Sequence, residues 1–199
     1  MAFMGCSSLT GLLVGLLLGD MNNVTVANAN FNNITLPPNG FRTGNSPTQA
    51  QFEADTLWKL AFSFTCGIWN PANPVYFNAG QVPTPPNVAY AGQTDGLKQE
   101  LETIPDGTDL YLATLSVGSR KDGFGASKIL IDFYVDDVVC QTTVHPIAQG
   151  SGNFEPVAEH YLVKPADIGE KISVGFRAPG QGALQVAVGL VEVGRYCEC

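Results

Sequence analysis

Charged side chains are scarce in this chain: Lys and Arg number 10, Asp and Glu number 18, and together they make up 14% of the residues. Long surface helices usually carry many paired charges, so this scarcity disfavours a helical protein. The net charge of −8 would repel a phosphate backbone and predicts no nucleic-acid partner. Arg120 and Lys121 form the single basic cluster, and Asp122 follows directly, as in an exposed turn.

Histidine is almost absent, since only His145 and His160 occur, and neither has a third metal ligand at a suitable spacing. No nucleophile motif, P-loop or dinucleotide-binding glycine pattern is present. We therefore expect no metal site, no cofactor and no enzymatic activity. An enzyme would need two acids facing each other across a cleft, and the sequence leaves one such pair open, Asp122 with Glu155.

The five cysteines are an odd number in a chain that is too large to need a disulfide framework. At least one must be free or paired between chains. The Cys197-x-Cys199 spacing differs from that of zinc sites and thioredoxin-like redox centres, so we interpret residues 196–199 as a terminal tail.

One long apolar run, Ser8 to Gly19, lies near the N-terminus, and no Lys or Arg precedes it. Its length suits a signal-peptide core better than a membrane span, yet the basic flank of a signal is missing. We therefore interpret residues 1–22 as a docking arm that inserts into a neighbouring subunit, with an uncleaved signal-like segment and a membrane anchor as the alternatives. The apolar residues expected to make the contact are Leu12, Leu13, Val14, Leu16, Leu17 and Leu18.

What the chain does have is glycine, proline and short alternating apolar stretches, with 22 Gly, 13 Pro and 45% hydrophobic residues. This composition predicts one domain, residues 23–195, of short strands joined by tight turns. The predicted strands are 22–36, 58–65, 88–91, 97–101, 110–117, 129–135, 138–144, 159–163, 172–176 and 184–193. Their regular spacing indicates an all-β, antiparallel jelly-roll β-sandwich with an N-terminal apolar arm.

Residues 67–86 contain five prolines, which predicts an ordered loop instead of a central strand. Long ordered loops often carry binding surfaces, and a sugar ring stacks on Trp or Tyr while amides fix its hydroxyls. The candidate ligand-binding residues are therefore Trp69, Asn70, Tyr76, Phe77 and Asn78, although the same aromatic rings could simply plug the loop.

Four short segments follow one another in an order that is typical of one group of β-sandwich domains. They are Gly-Ile-Trp-Asn-Pro from Gly67, Asn-Val-Ala-Tyr-Ala-Gly from Asn87, Gly-Leu-Lys-Gln-Glu-Leu from Gly96, and Val-Gly-Ser-Arg-Lys-Asp from Val117. Together they resemble the carbohydrate-binding-module-like, or galactose-binding-like, jelly-roll domains of secreted bacterial and phage proteins. The resemblance implies a jelly roll in which Arg120 and Asp122 fix the sandwich edge.

Relatives of that kind often hold a structural Ca²⁺ near the first and last strands. Asn32 and Gly189 stand here where two of its carboxylates would be expected, which argues against the site because Ca²⁺ prefers anionic oxygens.

The sequence thus predicts a non-enzymatic structural or adhesive virion protein, of the phage decoration or cement type. Its expected partners are protein subunits bound through the arm, in a homo-oligomer, and a cell-surface glycan is a possible further partner. The alternative is a secreted bacterial glycan-binding module with an N-terminal signal peptide. The expected localisation is the virion or, for the alternative, outside the cell.

Overall fold

The computed structural model describes residues 21–61, 65–180 and 184–197. In them twelve strands form two antiparallel sheets. The strands are β1 (Met21–Val24), β2 (Phe41–Thr43), β3 (Lys59–Leu60), β4 (Cys66–Trp69), β5 (Val88–Gly92), β6 (Gly96–Thr103), β7 (Thr108–Ser119), β8 (Lys128–Val135), β9 (Val138–Pro146), β10 (Phe154–Leu162), β11 (Lys171–Arg177) and β12 (Gln185–Cys197). One helix, α1 (Gln49–Thr56), and a 3-10 turn (Pro165–Asp167) complete the described elements.

The larger sheet has the strand order β10-β7-β12-β5-β4-β2, with β1 added beside the end of β12. The smaller sheet has the order β3-β6-β11-β8-β9. This arrangement confirms the predicted all-β, antiparallel jelly-roll sandwich.

The main core lies between the two sheets because alternate residues of each strand point inward. Leu115 and Val191 from the larger sheet meet Ile131 and Val174 from the smaller one, and all four are at most 1% exposed. At one end of this core Trp58 packs against the rings of Phe31 and Phe176. Its indole Nε1 donates a hydrogen bond to the Asn28 carbonyl, so the buried polar group is satisfied.

The eight strands predicted from residue 88 onward are all present, and most are longer than predicted by one to five residues at an end. The segment 22–36 is a strand only over Met21–Val24, because turns follow in which Asn28 and Phe31 take left-handed backbone angles. Of the segment 58–65, Lys59–Leu60 forms a strand, and Phe62 and Phe64 lie outside the described residues. The predicted loop 67–86 begins three residues late, since Cys66–Trp69 is a strand.

The helix α1 was not predicted, and its region was interpreted as a connection. Its sequence shows little amphipathic pattern, and only Phe52 and Thr56 are buried. Thr48 caps its N-terminus by accepting a hydrogen bond from the Gln51 amide, and Leu57 ends it in a left-handed conformation. No helix in the described ranges is long and apolar enough to span a membrane. Residues 1–20 of the expected docking arm, including all its predicted contact residues, lie outside the described residues, and Met21 and Asn22 belong to β1.

Candidate functional site

A second apolar cluster lies on the outer face of the larger sheet. The side chains of Trp69, Val88, Tyr90 and Ala187 point away from the main core, since their strand neighbours Ile68, Ala89 and Ala91 point into it. The loop of residues 70–86 crosses over this face and adds Tyr76, Phe77 and Val82, and Phe154 closes one side. The loop and the sheet face together create a sheltered surface outside the sandwich.

The loop can lie flat on the sheet because of a glycine in β12. A Cβ at Gly189 would stand 2.6 Å from the ring of Pro83, so any side chain there would lift the loop. Thr84 fixes the same contact by donating its hydroxyl hydrogen bond to the Gly189 carbonyl at 2.7 Å. Gly189, expected from sequence as a missing calcium ligand, therefore has a packing role.

Between the loop and the sheet is a cavity of about 300 Å³, which we call the aromatic slot. This volume is at the lower end of the range for small-molecule sites. Each wall comes from a different strand or loop of the larger sheet. The slot is lined by Asn39, Phe41, Trp69, Tyr76, Tyr90, Arg120 and Gln185.

Two aromatic side chains form one wall of the slot. The Trp69 and Tyr76 rings meet edge to face with centroids 4.6 Å apart, a favoured arrangement for aromatic pairs. Phe77 supports Trp69 from behind at 5.8 Å and in turn packs against Phe154 at 4.9 Å. The wall is therefore held from both sides before any ligand binds.

Arg120 lies beneath this wall, at the end of β7. Its guanidinium carbon is 5.0 Å from the Trp69 ring centroid and 4.9 Å from that of Tyr76. Its Nε and Nη2 donate to the two carboxylate oxygens of Asp122, and its Nη1 donates to Gln185 Oε1 at 2.5 Å. The ion pair makes the floor of the slot close to neutral overall.

Two polar groups in the slot make no hydrogen bond within the described part of the protein. Tyr90 is 9% exposed and Trp69 is 7% exposed. Among the described residues, neither the Tyr90 hydroxyl nor the Trp69 indole N–H has a hydrogen-bond partner. Burial, with a smaller contribution from Cys66, raises the pKa of Tyr90 above its ordinary value, so the phenol stays protonated. The slot therefore presents neutral donors to a ligand.

The structure brings two of the five sequence-predicted ligand residues, Trp69 and Tyr76, into the slot. Phe77 is buried behind it at 2% exposure. The Asn70 amide donates to the Leu36 carbonyl, and the Asn78 amide donates to the Ser151 carbonyl. These three residues hold the loop in place, and ligand binding by the set stays a prediction.

Sequence reasoning missed Phe41, Tyr90, Arg120, Gln185 and Asn39 as slot residues. Tyr90 was interpreted as core, since an aromatic residue in a strand gives no sign of which face it occupies. Arg120 was interpreted as part of an exposed turn or a sandwich edge because Asp122 follows it. The available signal was the alternation of Tyr90 with Ala89 and Ala91, which places the ring opposite the small core residues.

The outer face holds a second depression, the lower groove, of about 420 Å³. Leu112, Thr114 and Glu192 line it, beside Met21 and Asn23. Among the described residues that line this groove none is aromatic, so they offer less to a flat ligand than those of the slot do.

Other polar clusters use their groups internally. Glu159 lies between the two histidines, 3.0 Å from His145 Nε2 and 3.6 Å from His160 Nδ1, an arrangement that sequence spacing did not reveal. Within the ranges 21–61, 65–180 and 184–197, no group of three or more His, Cys, Asp or Glu side chains is placed to hold a metal ion. The carboxylates of Asp122 and Glu155 are not brought together, since Asp122 binds Arg120 and Glu155 accepts from the Ala148 amide.

Amide groups occupy the place considered for calcium. The Asn32 side chain donates to the Thr84 carbonyl at 3.1 Å and accepts from the Asn87 amide at 3.2 Å. The Asn87 side chain donates to the carbonyls of Phe31 and Ile34. These amides bridge the first turns to the loop through hydrogen bonds.

Fold and slot together define a jelly-roll sandwich that carries an aromatic-lined slot on the outer face of its larger sheet. A profile of the HpiC1-like family, described as HpiC1 cyclase, matches residues 22–192. The chain belongs to this HpiC1-like family.

Solved structures of cyclases share the fold. The Stig cyclase Fisc from Fischerella sp. TAU, in complex with (3Z)-3-(1-methyl-2-pyrrolidinylidene)-3H-indole, has a TM-score of 0.69 at 17% identity over 90% of this chain and 100% of that one. The apo form of a cyclase from Fischerella sp. has a TM-score of 0.68 at 15% identity, over 90% of this chain and 98% of that one. A Fischerella sp. TAU cyclase in complex with 4-(1H-indol-3-yl)butan-2-one has a TM-score of 0.66 at 16% identity, over 89% of this chain and 100% of that one. A search of curated protein sequences finds no significant match.

The family match corrects three predictions. The resemblance to carbohydrate-binding modules is wrong, because the matching family is that of HpiC1-like cyclases. The four segments on which this resemblance was based lie on or directly beside strands β4 to β7. Their pattern indicates the jelly-roll fold and does not indicate sugar binding. The predicted virion decoration or cement protein and the alternative glycan-binding module are wrong as well.

The prediction of no enzymatic activity is wrong for the same reason. It relied on finding a catalytic motif of charged or nucleophilic residues. The sequence shows no such motif, and the charged pair of the slot, Arg120 with Asp122, is an internal ion pair.

Proposed function

We propose that this protein is a cyclase that binds an aromatic small molecule in the aromatic slot and holds its flexible side chain folded for ring closure. The observation that carries the proposal is the pair of unused donors, on Tyr90 and Trp69, inside a slot with aromatic walls. Membership of the HpiC1-like cyclase family supports the reaction type. The indole ligands of the two Fischerella cyclases support a bicyclic aromatic substrate.

Ring closure requires two ends of one molecule to meet, and binding in a fixed shape removes the entropy cost of that meeting. Well-oriented intramolecular reactions gain about 7–11 kcal/mol in this way. In the slot, one of the Trp69 and Tyr76 rings stacks on the flat part of the substrate while the other, nearly perpendicular to it, contacts the substrate edge, and Phe41 limits how far the side chain can extend. The Arg120–Asp122 pair adds no net charge, so an apolar side chain is not repelled.

An indole with an unsaturated side chain fits this description. A new carbon–carbon bond joins the side chain to the ring, and one side-chain π bond is consumed. The ring loses one proton and the side chain gains one, so the number of protons does not change. The product is an isomer of the substrate with the same mass.

Incubation of the purified protein with a panel of 3-alkenylindoles, followed by liquid chromatography and mass spectrometry, tests the proposal. We expect a new peak of unchanged mass that wild type forms and Trp69→Leu does not. The exposed loop residue Val75 provides the matched control, since Val75→Ala leaves the slot intact. Equal product from wild type and Trp69→Leu would contradict the assignment of the slot.

The expectations about partners are not addressed by the described residues. Assembly through the N-terminal arm, a homo-oligomer and a glycan partner stay predictions, and so does the localisation.

A further inference from the structure

The polar groups of the aromatic slot are almost all hydrogen-bond donors, because the protein has already used the acceptors. Gln185 Oε1 accepts from Arg120 Nη1. An arginine can only donate, so this contact fixes the amide with its oxygen toward Arg120 and leaves the Gln185 NH₂ group for the slot.

Asn39 at the mouth of the slot has the same arrangement. Its Oδ1 accepts from the backbone N–H of Asn73 at 2.8 Å. A backbone N–H is also only a donor, so the Asn39 NH₂ group is the free end. In both amides, therefore, the oxygen is bound to the protein and the NH₂ group is free.

The slot also contains the indole N–H of Trp69 and the hydroxyl of Tyr90, whose residues are 7% and 9% exposed. Among the described residues neither group has a hydrogen-bond partner, and neither is among the fully buried polar atoms that lack one, so both are open to a ligand. A phenol can accept as well as donate, but Trp69 and the two NH₂ groups can only donate.

Resting on the proposed function, we propose that the slot selects an aromatic ligand that carries a neutral hydrogen-bond acceptor, such as a carbonyl oxygen or an imine nitrogen, and that Tyr90 and Gln185 recognise this acceptor. A ligand group that only donates finds a single side-chain acceptor among these groups, the Tyr90 hydroxyl. An ammonium group would leave water without gaining a counter-charge, because Asp122 is already paired with Arg120.

Isothermal titration with three matched indoles tests the inference. The probes are 4-(1H-indol-3-yl)butan-2-one, which has a ketone oxygen, 3-butylindole, which lacks it, and tryptamine, which places an ammonium group there. One neutral hydrogen bond is worth about 1 kcal/mol, so we expect the ketone to bind about fivefold to tenfold more tightly than 3-butylindole. Tryptamine should bind most weakly.

Two variants identify the groups that recognise the acceptor. Gln185→Glu keeps an oxygen for Arg120 and replaces the NH₂ donor by a negatively charged acceptor oxygen, and Tyr90→Phe removes a hydroxyl that makes no hydrogen bond among the described residues. Each should reduce the preference for the ketone several-fold while leaving the affinity for 3-butylindole and the melting temperature nearly unchanged. Val138→Ala, on the exposed strand β9 and outside the slot, should leave the preference intact.

The outcomes separate the two proposals. Equal binding of the ketone and 3-butylindole would overturn the acceptor preference while supporting an indole site. Failure of all three probes to bind would contradict the proposed function, and the inference with it.

Discussion

At the scale of single residues, Arg120 connects the stability of the fold to the shape of the slot. Its side chain is 16% exposed and that of Asp122 is 15% exposed, so both charges are largely withdrawn from water. A charge in this position needs its partner, because an unpaired charge that is largely buried is costly. The guanidinium also supports the Trp69 and Tyr76 rings from below.

Replacing Arg120 by methionine should lower the free energy of unfolding by about 1–3 kcal/mol, because Asp122 loses its partner and the aromatic wall loses its support. Urea denaturation followed by tryptophan fluorescence measures this change. The double variant Arg120→Met with Asp122→Asn should recover part of the loss, since no unpaired charge remains. Unchanged stability of the single variant would show that the ion pair contributes nothing.

Individual slot residues could be predicted from sequence only in part. Trp69 and Tyr76 were found because aromatic residues in a proline-rich loop stand out. Gln185 and Asn39 were not predicted, because the orientation of an amide is known only when its hydrogen-bond partner is known. The partner of Gln185, Arg120, lies 65 residues away in the chain, and the partner of Asn39, Asn73, lies 34 residues away.

At the scale of elements, the loop 70–86 positions the outer wall of the slot and is tied down mainly by asparagines. Asn78 connects it to the turn before β10, through hydrogen bonds to the Ser151 carbonyl at 3.0 Å and to Asn153 Oδ1 at 2.6 Å. Lys121 donates to the oxygen of the same amide. The loop therefore follows the position of the neighbouring turn.

Removal of these contacts by Asn78→Ala should reduce stability by only about 1 kcal/mol, since the residue is at the edge of the fold. Its effect on binding should be larger, a roughly threefold to tenfold loss of affinity for the indole ketone, because Tyr76 and Phe77 are adjacent in the chain. Thermal melting and titration calorimetry on the same sample distinguish the two effects. Val75→Ala is the control, and an equal loss of affinity there would mean that any change in the loop has this effect.

The strands were predictable as elements because alternation, turn residues and β-branched side chains agree from residue 88 onward. The helix α1 and the strand β4 were not predictable from the sequence in this way. The helix lacks an apolar stripe, and β4 is followed so closely by prolines that the whole segment has the composition of a loop.

At the scale of the whole molecule, the sandwich buries several tyrosines whose hydroxyls must stay protonated. Burial raises the pKa of Tyr90, Tyr111 and Tyr134 above the ordinary value, and it raises the pKa of the Cys66 thiol to about 12. The folded state therefore holds these protons to higher pH than the unfolded state does.

Stability should consequently fall as the pH rises above about 9 for Cys66 and above about 10 for the tyrosines, where the unfolded chain begins to lose protons that the folded chain keeps. The slope is up to about 1.4 kcal/mol per pH unit for each group. Urea denaturation at pH 8, 9.5 and 10.5 measures it, and Tyr134→Phe should give a shallower slope. A flat profile across this range would contradict the burial of these hydroxyls.

The overall architecture was fixed by features that the sequence displays, whereas the function was not. Any jelly roll of this kind needs alternating strands, so the same pattern serves a cyclase as well as a sugar-binding module. What distinguishes them is the outer face, where the loop 70–86, Arg120 and Tyr90 meet from segments that are distant in the chain.

The most direct test of the account is a crystal structure of the protein with 4-(1H-indol-3-yl)butan-2-one at saturating concentration. We expect the indole ring in the aromatic slot against Trp69 and Tyr76, with the ketone oxygen within hydrogen-bond distance of the Tyr90 hydroxyl. A ligand bound instead in the lower groove beside Leu112 and Glu192, or an empty slot, would contradict it.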